Sequence, residues 1–100
     1  MFCYVWEFTV RPEQVGAFLE AYGPQGTWAS LFRRDPAYVR TDLHRDVEQP
    51  HRFLTVDHWT SREACEAFRD RFRLEYDAID RRCEAFTTQE RCLGQFDTLA

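Results

Sequence analysis

The chain has 100 residues, enough for one domain and one core spanning residues 1–100. At 44% apolar and 30% charged it reads as a soluble globular protein, not a disordered one. A net charge of −4 argues against nucleic acid as a partner. No run approaches the roughly 20 apolar residues of a membrane span, and Met1-Phe2-Cys3-Tyr4-Val5-Trp6-Glu7 lacks the basic region of a secretion signal, so a cytoplasmic location is expected.

Three further features of composition narrow the chemistry. All 13 basic residues are arginine, which excludes a lysine Schiff base, a pyridoxal attachment and a P-loop lysine. Cys3, Cys65, Cys83 and Cys92 show no paired or zinc-ligand spacing and read as small buried hydrophobes. The aromatic share, 16% with nine Phe, exceeds what one thin core layer hides, so a ligand cavity or a partner subunit is expected to take the surplus.

Residues 2–10 alternate as a strand, with Phe2, Tyr4, Trp6, Phe8 and Val10 on one face. Pro12 opens a helix carrying Val15, Phe18, Leu19 and Tyr22 on one stripe, and Gly23-Pro24 ends it. Trp28, Leu31 and Phe32 predict a short helical turn. Two strands over 38–45 and 52–59 follow, joined by a turn around residues 47–50. Thr60 reads as a helix N-cap, with Glu63 completing a capping box. The apolar stripe over 61–84 then predicts helix, with a break near Arg73. Residues 87–96 form a last strand, with Gly94 a candidate bulge.

The order β-α-β-β-α-β is that of a ferredoxin-like α+β fold with a four-stranded antiparallel sheet. Helices cover one face of such a sheet. The other face would expose Val5, Val39, Leu43, Leu54, Val56 and Leu93, and a second copy of the chain is its simplest cover. A homodimer is therefore expected.

If the middle turn centres on residues 48–49, Tyr38 opposes Trp59, Arg40 opposes Asp57, and Asp42 opposes Thr55, all on one side. That mixture of charge and aromatics suits a cavity lining. Arg40 and Asp57 also read, more simply, as a cross-strand ion pair. His44 and His58 face opposite sides in this register, so no metal site is expected, and Ser30 and Ser61 read as helix-turn and cap residues.

The run Phe53-Leu54-Thr55-Val56-Asp57-His58-Trp59-Thr60-Ser61-Arg62-Glu63, followed by Phe68, resembles the signature of antibiotic biosynthesis monooxygenase domains. The segment from Trp28 through Phe32 to Asp35-Pro36-Ala37-Tyr38 resembles that family's helix and turn. The resemblance implies a dimeric α+β barrel with a pocket between sheet and helices. It implies either cofactor-free oxidation of phenols with O₂ or haem degradation. For the first, Trp59 stands at the family's Trp position, while Thr55 replaces an Asn that helps deprotonate substrate. For the second, the chain offers Trp6, Phe68 and no histidine beyond His58, so haem degradation is not expected.

The resulting expectation is a monooxygenase of a small phenol or quinol that needs no cofactor, its substrate supplying the electrons. Trp59 would stack on the ring, Arg40 hold the oxyanion, and Asp57 or Tyr38 orient or transfer a proton. Thr55, Trp6, Phe68, Trp28 and Tyr76 would line the substrate site. The alternatives are a non-catalytic dimeric barrel that binds a small hydrophobic ligand or acts as a stress-associated accessory, or an isomerase or lactone-processing enzyme on the same fold. A cavity of about 300 Å³ reaching Arg40 and Trp59 would favour catalysis, and a filled interior the ligand-binding reading.

Overall fold

Period-two patterning at the N-terminus becomes strand β1, Phe2–Val10, in a computed structural model that describes residues 1–99. A 3₁₀ turn at Pro12–Gln14 leads into helix α1, Val15–Tyr22, and Gly23 stops it. Helix α2, Thr27–Phe32, precedes strands β2, Tyr38–Arg45, and β3, Arg52–Trp59. Helices α3, Arg62–Arg71, and α4, Arg73–Cys83, are separated at Phe72, one residue before the expected break. Strand β4, Thr87–Asp97, completes an antiparallel sheet in the order β2-β3-β1-β4.

The cap of α3 differs from expectation. Ser61, not Thr60, accepts the Ala64 backbone N–H at 3.1 Å. The Thr60 N–H is engaged with the Ala37 carbonyl, which ties Thr60 to the residue before β2 and moves the helix start one residue on. Gly94 behaves as expected. The register against β1 slips between Val5 and Trp6, and Gly94 adopts φ +154°, where an added Cβ would lie 2.9 Å from the Phe96 ring.

One sheet face packs on the helices through aromatic rings. Phe18 of α1 meets Phe8 and Phe53 at centroid distances of 5.3 and 5.0 Å, and Phe68 of α3 meets Trp59 at 5.1 Å. At the end of α3, Arg71 donates to buried Asp35 at 2.5 Å, and Asp35 also accepts the Ala37 N–H. This pins the Asp35-Pro36 turn to the helix layer.

A bulge in β2 overturns the register expected from the sequence. Tyr38 opposes Trp59 as expected, but Arg40 then opposes His58, Thr41 opposes Asp57, and Leu43 opposes Thr55. An extra residue sits between Tyr38 and Arg40, so every later side chain swaps faces. Thr41 and Leu43 turn inward, whereas Arg40, Asp42 and His44 turn outward beside His58.

The outer face is therefore a band of Val5, Leu54 and Val56 between two ionic clusters. Asp42 pairs with Arg40 and, at 3.1 Å, with His58. Glu7 pairs with Arg52 and with Arg91, and Asp46 with Arg52. Val39, Leu93 and Phe96 are 42%, 41% and 51% exposed, and among the described residues no helix covers this face. Leu43, expected here, is packed inside instead. His44 and His58 now share the face, yet no three metal-ligating side chains converge among the described residues.

Candidate active site

The inner sheet face and the helices leave a cavity of about 140 Å³ between them. Trp6, Phe8, Trp28 and Phe32 give it apolar walls, while Thr41, Thr55 and Asp57 line it from the sheet. Arg69, Tyr76 and Asp80 reach it from α3 and α4, and Glu90 from β4. A recess of about 20 Å³ adjoins it, sharing Trp6, Asp57, Arg69 and Tyr76 and bounded by Tyr4, Trp59 and Phe68.

Asp57 is the chemical centre of this arrangement. Burial pushes its carboxyl up to about 6 from an ordinary 3.8, and a Thr41 hydrogen bond offsets part of that rise. The bond runs from Thr41 Oγ1 to Asp57 Oδ1 at 2.6 Å. Thr41 Oγ1 has then spent its proton, so it accepts from the Tyr38 hydroxyl at 2.7 Å. Among the described residues no Arg or His pairs with this carboxylate. It is a base in the right range for neutral pH, held in a chamber of aromatic walls and polar groups.

Burial also pushes other groups around the cavity toward their neutral forms. Burial raises Tyr76 to about 12, against the pull of the Arg69 charge. Asp80 and Glu90 are raised by burial first, then by neighbouring carboxylates that include Glu84.

Most residues singled out from the sequence gather here; Tyr38 and Arg40 do not, and Trp59 only bounds the recess. Asp57, Thr55, Trp6, Trp28 and Tyr76 line the cavity, and Phe68 lines the recess. Tyr38 lines neither and reaches Asp57 only through Thr41. Trp59 is 2% exposed, clasped by Phe32, Tyr38 and Phe68, so its ring has little face free to stack on a ligand. Arg40 lies on the opposite sheet face, bonded to Asp42, and does not reach the cavity. The β2 bulge is the reason. The cavity also falls below the 300 Å³ mark, although the interior is not filled.

Sequence reasoning missed Thr41, Arg69, Asp80 and Glu90. Thr41 carried no signal, because the bulge that turns it inward is invisible in the pattern. Arg69 did carry one. It follows buried Cys65 by one helical turn, an unusual place for a charge.

Residues 1–73 match the family model described as antibiotic biosynthesis monooxygenase. The chain belongs to that family. A Nitrosomonas europaea protein described in the same family terms has a structure with TM-score 0.74 at 17% identity, each chain covered in full. SnoaB of Streptomyces nogalater, described as a cofactor-independent oxygenase, gives TM-score 0.72 at 20% identity, covering 99% of this chain and 93% of its own. A Deinococcus radiodurans protein of the same description as the first gives 0.78 at 14% identity, covering 100% and 94%. At such identities the likeness is one of fold. No curated protein shows a significant match to the sequence. No described helix is long and apolar enough to cross a membrane.

Proposed function

We propose that this family member is a cofactor-independent monooxygenase of a single-ring phenol or quinol, working as a homodimer. The observation that carries this reading is Asp57, a carboxylate with no cation paired to it among the described residues, raised to about 6 beside the aromatic walls of the cavity. The description of SnoaB as a cofactor-independent oxygenase supports it. The ring would lie among Trp6, Trp28 and Tyr76 with its hydroxyl toward Asp57. Asp57 takes the phenolic proton, and the electron-rich phenolate reduces O₂. For a quinol, one oxygen atom enters the ring and the other leaves as water. The four electrons come from the quinol, which becomes a hydroxyquinone.

Two magnitudes shape the proposal. A cavity near 150 Å³ holds about one benzene ring, so the cavity of about 140 Å³ suits one ring and not three. A phenol near 10 facing a base near 6 leaves a gap of about four pKa units, roughly 5–6 kcal/mol. Something else in the cavity must help ionise it. Oxygen uptake measured against quinols, hydroxynaphthoquinones and anthrones tests the reading. Single-ring quinols should be consumed and anthrones spared. No uptake with any of them would leave the non-catalytic ligand-binding barrel, which the small cavity also suits.

The dimer would cover Val5, Leu54 and Val56 on the outer sheet face with the same residues of a second copy, as in other isologous interfaces. Val56→Asp places a charge at the centre of that band. Light scattering after size exclusion should find wild type as a dimer and Val56→Asp as a monomer. A monomeric wild type would refute the pairing.

A further inference from the structure

In the sheet, Arg40, Arg52 and Arg91 are matched by carboxylates, whereas Arg45 lies over the Phe53 ring. Arg52 is clamped by Glu7 and Asp46, and Arg91 reaches Glu7. Arg71 on the outer end of α3 is held by Asp35. Arg69, two residues earlier, turns inward and meets no carboxylate within 4.0 Å among the described residues. Its guanidinium lies over the rings of Tyr4 and Tyr76, at 5.8 and 5.0 Å from their centroids. It spends one N–H on the Tyr4 hydroxyl at 3.3 Å. A guanidinium carries five such donors and stays charged at any relevant pH. The rest are free to meet a ligand in the cavity and recess that Arg69 lines.

Stacking between tyrosines could be the whole purpose of Arg69, and cation–π contact of this kind is common. Its position argues for more. The same cavity holds Asp57, and the two opposite charges form no ion pair with one another. A ligand that gives a proton to the carboxylate and keeps the negative charge would satisfy both.

We infer that Arg69 is the anion-binding residue of the cavity, and that the group it binds is the phenolate oxygen of a single-ring ligand. The inference rests on the proposed function and deepens it, since it supplies what Asp57 lacks. A cation within about 4–6 Å lowers the pKa of an acidic group by about 1–3 units. Phenolate is thereby favoured at the oxygen that Asp57 deprotonates. Tyr4 and Tyr76 fix the guanidinium plane through their rings. Tyr22, Asp57, Asp80 and Glu90 are the other titratable groups facing the cavity, from α1, β3, α4 and β4.

The probe is 4-nitrophenol, whose phenolate is yellow and whose neutral form is not. Its bound pKa is read by absorbance in wild type, Arg69→Met and Arg69→Lys. The remaining charged groups are common to all three, so the differences isolate Arg69. The Arg69→Met value should lie about 1–3 units above wild type, and Arg69→Lys should recover part of the difference. Nitrobenzene, which has no acidic oxygen, should bind wild type and Arg69→Met within about twofold, showing an intact cavity. Equal bound pKa values in wild type and Arg69→Met, or no binding of 4-nitrophenol, would overturn the inference. Should Arg69→Met not fold, wild type decides: a bound pKa below that of free 4-nitrophenol supports the inference, and one above it overturns it. A clear Arg69-dependent shift with no oxygen uptake from any quinol would instead sink the oxygenase reading and leave the phenolate site standing.

Discussion

Asp57→Asn is expected to cost about 10²–10⁴-fold in quinol-dependent oxygen uptake while making the folded domain more stable above pH 6. The two effects share one cause. Burial raises the folded-state pKa of Asp57 to about 6 from an ordinary 3.8. The native state therefore holds this proton more tightly than the unfolded chain does. Below pH 4 the carboxyl is neutral in both states and there is no penalty. Between pH 4 and 6 the unfolded chain ionises first, so stability falls as pH rises. Above 6 the full cost is present, on the order of 3 kcal/mol for two units.

Asparagine has the same shape, keeps an oxygen for the Thr41 hydroxyl, and never ionises. Its melting temperature should therefore exceed wild type by about 12–24 °C at pH 8, at about 4–8 °C per kcal/mol for a domain of this size. The two proteins should melt together below pH 4. Circular dichroism melts at the two pH values check this. In wild type, oxygen uptake should rise with pH through a midpoint near 6. Melts that coincide at pH 8, with uptake unimpaired, would remove Asp57 from both roles.

Trp59→Ala should be the most damaging single change to the fold. The side chain is 2% exposed and meets Phe32, Tyr38 and Phe68 at centroid distances of 5.6, 5.4 and 5.1 Å. Truncating a buried Trp costs about 3–5 kcal/mol, which predicts a melting temperature lower by more than about 12 °C. Such a loss is a large part of the stability of any domain this small. Lost activity in Trp59→Ala would therefore report lost structure and say nothing of ring stacking. Trp59→Phe separates the two, because it keeps an aromatic in the cluster. It should melt much closer to wild type and retain most oxygen uptake if packing is the main role. A Trp59→Ala protein that melts like wild type would refute the packing account.

The stability gain in Asp57→Asn and the loss in Trp59→Ala mark the difference between a site residue and a core residue. Both stand on β3, two positions apart and on the same face. The sequence reading assigned them to one catalytic group on that ground. Packing separates them, because the aromatic cluster closes over Trp59 while the chamber stays open at Asp57.

Much of the fold was legible from local pattern. The strands at 2–10, 38–45 and 52–59 are observed as read, since period-two alternation and β-branched or aromatic content are properties of neighbouring residues. The helical stripes, the stop at Gly23-Pro24 and the bulge at Gly94 were legible for the same reason. So was the inward direction of Asp57, Thr55 and Trp6, because β1 and β3 keep an unbroken register.

What the tertiary structure alone decided is which charges meet. The extra residue, Val39, lets Tyr38 stay beside Trp59 while Thr41 reaches Asp57, a compromise between two strands that neither encodes by itself. It sent Arg40 to the outer face and Leu43 to the core. Arg69 shows the same division. Its helical position was readable, but a charge is a binding site only when nothing nearby neutralises it, and that depends on every element packed around it. Periodicity is a local property of the chain, whereas the pairing of charges is a property of the assembled fold.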